Sequence, residues 1–293
     1  MSAGEAMQRL REAWAALGLA PYQKSLVAVV LLTLGLFVLF WAIERACGIR
    51  SDNYRRRAFL HDLGFWFYYR VGLHDFLFVS VLLLALEPAM ARVSLGLLVG
   101  KPFWLQAMAY VVVGDFVAYW VHRAEHRFGW MWAFHTTHHS QEHLTFATTA
   151  RFHPVEMIYH SLLAYVPLRL LGASPMVFLP MYLALQIWTT AQHTQIPWRL
   201  GPFYRVFATP SFHAFHHSAD PSHHDRNFGN MLSLWDHVFG TAVAADAPRP
   251  VRFGLGEPVP TSLLGILIDP FRRLRRSPRS AGAALTVGQE PSP

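Results

Sequence analysis

The 293-residue chain is 53% hydrophobic and only 15% charged, with a formal net charge of +7. Soluble domains carry about 25% charged residues, so this balance argues against a water-soluble globule and for a membrane protein. The single cysteine, Cys47, excludes an internal disulfide framework and a multi-cysteine zinc knuckle, and the basic surplus flanks apolar runs, which argues against nucleic acid as a partner.

Residues 1–24 read as an amphipathic interfacial segment. Glu5 and Glu12 interrupt it, and no long apolar core precedes a small-residue cleavage site as in a signal peptide. A transmembrane region is expected over residues 25–102. Its first span, 26–43, is free of charge and is bounded by Lys24 and by Glu44 and Arg45. Arg45, Arg50, Arg55, Arg56 and Arg57 after it outnumber Arg9, Arg11 and Lys24 before it, so the loop after this span is expected in the cytoplasm. The apolar run at 76–86 is short and ends at Glu87-Pro88. It reaches a full span only by extending back past Arg70, His74 and Asp75, which predicts a tilted or partly broken crossing.

Residues 103–121 form a third span that holds one acid, Asp115, and exits at His122 and Arg123. Two further apolar helices, 157–171 and 176–190, flank the turn signal Gly172-Ala173-Ser174-Pro175 and read as a hairpin that dips into the membrane. Residues 196–250 are loop-rich. A membrane-surface segment is expected over 246–276, ending in Arg272, Arg273, Arg275 and Arg276, and a disordered tail over 277–293. This order brings the end of the third span, residues 135–153, the hairpin end at His193 and residues 213–217 to one face of the membrane.

Seventeen histidines are present, and their spacing matters more than their number. His122 and His126 are four apart in HRAEH, so a helix stacks them on one face where two imidazoles can share a metal. Asp115 lies on the same stripe, and an acid in an apolar span is costly unless partnered; it is a candidate acceptor for a ligand's N–H. His135, His138 and His139 form HTTHH, and His213, His216 and His217 form HAFHH. In a helical HxxHH the first two histidines lie one turn apart and the adjacent third about 100° around the axis, so one such unit can serve two neighbouring metals. Imidazole suits Zn, Cu, Fe and Ni alike, but eight histidines exceed one ion's needs and fit two.

Five stretches carry a family resemblance: residues 115–126 (DFVAYWVHRAEH), 132–143 (WAFHTTHHSQEH), 149–156 (TARFHPVE), 210–217 (PSFHAFHH) and 227–241 (NFGNMLSLWDHVFGT). Together they resemble the fatty acid hydroxylase/sterol desaturase superfamily over about residues 105–241, with boxes HxxxH, HxxHH and HxxHH in the family's order. The resemblance implies an all-α, integral membrane helical bundle with a cytosolic histidine-rich cap holding a dinuclear metal site, the catalytic domain covering 103–245. It implies two non-haem irons, O2 as co-substrate, a separate electron donor (a reductase, ferredoxin or cytochrome b5-like protein), and a lipid substrate of sterol, fatty acyl or alkylglycerol type. Hydroxylation is favoured over desaturation, and a multi-pass inner membrane or equivalent location is expected, with the boxes on the cytoplasmic face.

By this resemblance His122, His126, His135, His138, His139, His213, His216 and His217 occupy ligand positions. His193, where the hairpin returns to the site face, is the leading further ligand. His153, His224, Asp115 and Asp236 are candidates for additional metal or outer contacts, with His223 close behind. Arg151 and Glu156 bracket His153 and read as a structural ion pair. Two rival readings fit less well. HRAEH also fits the H-x-x-E-H pattern of a membrane zinc hydrolase with Glu125 as base, but that leaves both HxxHH boxes without a purpose. A histidine-lined metal transporter would place ionisable groups at several depths within the spans, whereas here they gather at span ends.

Overall fold

The computed structural model describes residues 20–49 and 52–275; most of the segment expected at 1–24, Arg276 and the tail expected at 277–293 lie outside them. The described residues are helical, with two isolated β-bridges, Phe207–Leu232 and Ser218–Phe253, and no longer strand. Three helical stretches are long and apolar enough to cross a membrane: Val27–Ala46, Asp75–Val93 and Phe103–Arg127. Their outward faces carry residues such as Leu31, Leu34, Val81, Leu84 and Met108, which a lipid environment favours.

Helix α1 (Ala20–Ala46) is followed by α2 (Arg57–Arg70). The two lock where the Trp66 indole donates to Thr33 Oγ1 at 2.8 Å, around a buried cluster of Phe40, Phe59, Phe65, Trp66 and Phe146. The second crossing departs from the sequence expectation. A π-helical turn at Asp75–Val79 leads into α3 (Ser80–Val93), which runs through Glu87-Pro88 instead of ending there, so the span gains its length forward and not backward. Glu87 accepts from Arg169 Nε at 2.9 Å and from the Tyr165 hydroxyl at 3.4 Å, both on a neighbouring helix. A partnered acid is tolerable there, and packed neighbours accommodate a proline inside a membrane helix.

The third crossing joins α4 (Phe103–Ala109) to α5 (Asp115–Arg127) through a second π-helical turn, Tyr110–Gly114. The extra residue rotates α5 by about 100° relative to a plain continuation of α4, and thereby sets which way His122 and His126 face. The two helices expected as a hairpin form as α7 (Pro154–Leu170) and α8 (Pro175–Gln192), after the cap helix α6 (Gly129–His139), and both pack against the third crossing. Its turn is tight: Gly172 has φ +84°, and a Cβ there would come within 3.0 Å of Gly96 Cα. The backbone zips this turn to the loop after α3, with Leu95 N donating to Leu170 O at 2.7 Å and Leu98 N to Leu171 O at 2.8 Å.

The remaining cap comprises α9 (Pro210–His216), α10 (Leu234–Phe239) and α11 (Leu263–Arg275). Helix α11 buries Ile266 and Pro270 and sets Phe271 against Phe134 of α6 at 5.5 Å. Within its basic run, Arg273 is held by Asp269 at 2.6 Å and Glu257 at 2.5 Å. A buried node ties α2 to the segment after α6. Asp62 accepts from Arg151 NH1, Thr148 Oγ1 and Gln141 Nε2, each at 2.8 Å, while Arg151 also donates to Thr137 O and Ser140 Oγ. Arg151 therefore pairs with Asp62 and not with Glu156 as the sequence suggested.

Candidate metal centre

Nine histidines converge in two groups. His122, His126, His135, His139 and His216 form the first, and His138, His193, His213 and His217 the second; in each, the ligand atoms lie within 4.8 Å of one another. The box histidines and His193 are thus brought together, but each HxxHH divides differently from the sequence expectation. Its first and third histidines go to one group and its middle histidine to the other. The reason is helical: four residues rotate about 40° past a full turn, three fall about 60° short, so positions i and i+4 point more nearly alike.

The ring nitrogens are sorted by their partners. His122 Nδ1 donates to Phe228 O at 2.8 Å, His193 Nδ1 to Thr189 O at 2.8 Å and His216 Nδ1 to Arg226 O at 3.0 Å. His135 Nδ1 donates to Glu156 Oε1 at 2.6 Å. A carbonyl or carboxylate accepts, so Nδ1 carries the proton and the Nε2 lone pair points inward, the tautomer a metal requires. Asp225, with φ +55°, stands 3.4 Å from His126 Nδ1.

Inside, Nε2 meets Nε2. His135 lies 3.2 Å from His122 and 3.1 Å from His139; His193 lies 3.3 Å from His138 and 3.1 Å from His213; His213 lies 3.0 Å from His217. Nitrogens about 2.1 Å from one ion stand roughly 3.0–3.4 Å apart. Lone pairs facing at these distances repel unless a cation lies between them, and the buried Nε2 atoms of His126 and His216 have no other partner. The donor set therefore fits two metal ions. Burial first, and then the neighbouring imidazoles, push His138, His139, His213, His216 and His217 well below the usual histidine range, and burial brings His193 down to about 4. Neutral imidazoles are the form that binds metal.

The other candidates lie elsewhere. His153 caps α7: its Nδ1 accepts from Val155 N at 3.2 Å and its Nε2 donates to Leu267 O at 3.1 Å. His223 bonds Ser218 Oγ at 2.9 Å, His224 is exposed, and none of the three belongs to either group. Asp115 does not reach an imidazole. It accepts from Met231 N (2.6 Å), Leu232 N (3.0 Å) and Trp235 Nε1 (3.1 Å), pinning the loop that carries Phe228. Asp236 does likewise for Phe228 N at 2.8 Å, Gly229 N at 2.7 Å and Thr241 Oγ1 at 2.6 Å; burial pushes its carboxyl up to about 6. Both acids thus shape the wall behind His122.

Sequence reasoning missed the support behind His135. Glu125 accepts from the Tyr159 hydroxyl at 2.8 Å and from His160 Nε2 at 2.7 Å, while Glu156 holds His135. The usable signal was the four-residue spacing of Glu156 and His160, which puts both on the face of α7 that meets α5. A cavity of about 240 Å³ opens beside both groups, touching His122, His135, His138, His193 and His213. It runs between the third crossing and the hairpin helices, lined by Val117, Val121, Met157 and Leu185. Of residues 65–84, only Tyr69 and Arg70 line it.

The fatty acid hydroxylase family model matches residues 107–241. Over 175 residues the chain is 32% identical to ornithine lipid hydroxylase OlsE of Rhizobium tropici, covering 60% of this chain and 53% of that protein. It is 37% identical over 161 residues to human alkylglycerol monooxygenase, covering 54% and 34%, and 28% identical over 145 residues to mouse lathosterol oxidase, covering 47% and 46%. The chain thus spans between about a third and about half the length of these relatives. No solved structure matches it.

Proposed function

Because residues 107–241 match the fatty acid hydroxylase family, we propose that the chain is a membrane-bound, O2-dependent oxidoreductase of that family that hydroxylates a lipid at a pair of non-haem irons. The observation that carries this reading is the junction of two inward-facing imidazole groups with an apolar cavity between membrane-crossing helices. The first group would hold one iron and the second, including His193, the other. Bound there, two irons would supply the redox chemistry with O2 that removes hydrogen from an aliphatic C–H bond, which zinc cannot do.

The chain's own residues do the rest. Backbone carbonyls and Glu156 hold the rings with Nε2 inward, and Phe152, stacked 4.3 Å from His138, and Phe228, beside His122 and His126, shield the groups from water. The cavity wall admits an alkyl chain and offers it to the histidine end. In this reading a separate donor protein supplies the electrons. The basic residues after the first crossing support a location of the boxes on the cytoplasmic face of an inner or equivalent membrane.

Metal analysis of the purified full chain tests this reading: about two irons per chain are expected, lost in His135→Ala/His217→Ala. One zinc and no iron would sink it. Lipid profiling of a host that overproduces the chain should then show species gaining one oxygen.

Glu125→Gln separates the hydrolase rival. The glutamine keeps an oxygen for Tyr159 and His160, and Glu125 Oε2 stands 3.6 Å from His135 Nδ1, too far to hold the ring. Iron content within about 20% of wild type is therefore expected, whereas a hydrolase would lose its base and all turnover.

A further inference from the structure

One charged group in the cavity wall has no counter-charge. Arg70 ends α2 at the cavity, stacks on Trp66 with its guanidinium 4.5 Å from the ring, and donates to Gln186 Oε1 at 2.6 Å. Tyr182 is its other polar neighbour, and among the described residues no carboxylate pairs with it. A guanidinium has five N–H donors. Left half-buried beside apolar walls without an anion it is costly, and such a site is stable when an anionic acceptor completes it.

Its position is also informative. Beside it, the Tyr69 hydroxyl donates to Phe152 O at 2.9 Å and His74 Nε2 to Pro154 O at 3.0 Å, so Arg70 stands level with the start of α7. There the chain passes from the histidine cap to the apolar helices. Tyr182, Gln186 and Thr189 of α8 and His193 just after it are spaced four, three and four apart and all line the cavity, forming one polar stripe. Gln186 is seven residues before His193, about 10 Å along the helix axis.

We propose that Arg70, with Tyr182 and Gln186, binds the anionic group (a carboxylate or a phosphate) of an amphiphilic lipid whose chain fills the cavity toward the histidines. This rests on the reading of that cavity as the substrate site and adds the substrate class: an acidic amphiphile, oxidised about two helical turns from its charge. Arg70 selects and positions; it takes no part in the oxidation.

The test uses the full chain in detergent, with binding of hexadecanoate, dodecyl phosphate and uncharged methyl hexadecanoate measured as micellar mole fractions. Wild type is expected to favour at least one anion over the ester by about tenfold or more, and the better anion names the group. Arg70→Gln should abolish the preference by weakening the anion alone, and Arg70→Lys, which keeps charge without the planar fork, should fall between. Either variant binding anion and ester in the wild-type ratio overturns the assignment, as does a wild type without preference. Iron measured on the same samples separates the two readings. Wild type lacking iron removes the oxygenase, whereas an unchanged ratio at normal iron removes only the role of Arg70.

Discussion

Alanine at His139 and His216 together is expected to take the chain from about two irons to about one, and alanine at His213 and His217 to do the same to the other ion. Each pair strips two donors from a single group: His139 and His216 from the five-histidine group, His213 and His217 from the four. A box-wise pair, His213→Ala with His216→Ala, takes one donor from each group and should weaken both ions. The distinction comes from helix geometry, since i and i+4 stay together while i+3 crosses over. Iron counted on purified variants, with the melting temperature of each as a folding check, reads the outcome. Loss that tracks the boxes instead of the spatial groups would sink the two-centre grouping.

Asp62→Ala is expected to destabilise the fold by about 3–5 kcal/mol, because it leaves the Arg151 guanidinium buried without a counter-charge. Asp62 is fully buried and Arg151 nearly so, and three donors depend on that one carboxylate. The double variant Asp62→Leu/Arg151→Met removes both charges and should recover a large part of the loss, since apolar residues replace a buried pair at little cost. Thermal unfolding in detergent, with a shift on the order of 10 °C for the single variant, measures it. Additive effects in the double variant would show that the two groups do not act as a pair. The effect should also reach the metal, as Arg151 braces Thr137 O and Ser140 within and just beyond the second box.

The contrast between what the sequence discloses and what it hides comes from the range of the interactions. Helical spacing is local, so His122 with His126 and the two HxxHH units are legible as ligand sets from residues four apart. The hydrophobic runs are local too, and all three crossings are visible in them. Asp62 and its partners are separated by 79 to 89 residues, and no spacing announces such a pairing. The same holds for Asp115, whose partners lie more than a hundred residues on, and for Glu156, which sequence proximity assigned to Arg151 while the fold gave it to His135. The division of each HxxHH between two groups was within reach of helix geometry but needed the facing helices to choose the pairing. The passage of α3 through Pro88 was legible only with Arg169 in view.

The carbonyls that hold the rings carry a different consequence, one for sequence drift. His193 and His216 are oriented by the main chain of residues 189 and 226, and a peptide oxygen is the same whichever amino acid supplies it. Substitution at those two positions therefore leaves the tautomer untouched so long as the backbone keeps its course. The memory of the site is stored in chain path there, and in side-chain identity at Glu156. Relatives can diverge widely around the centre and still inherit the same arrangement of lone pairs.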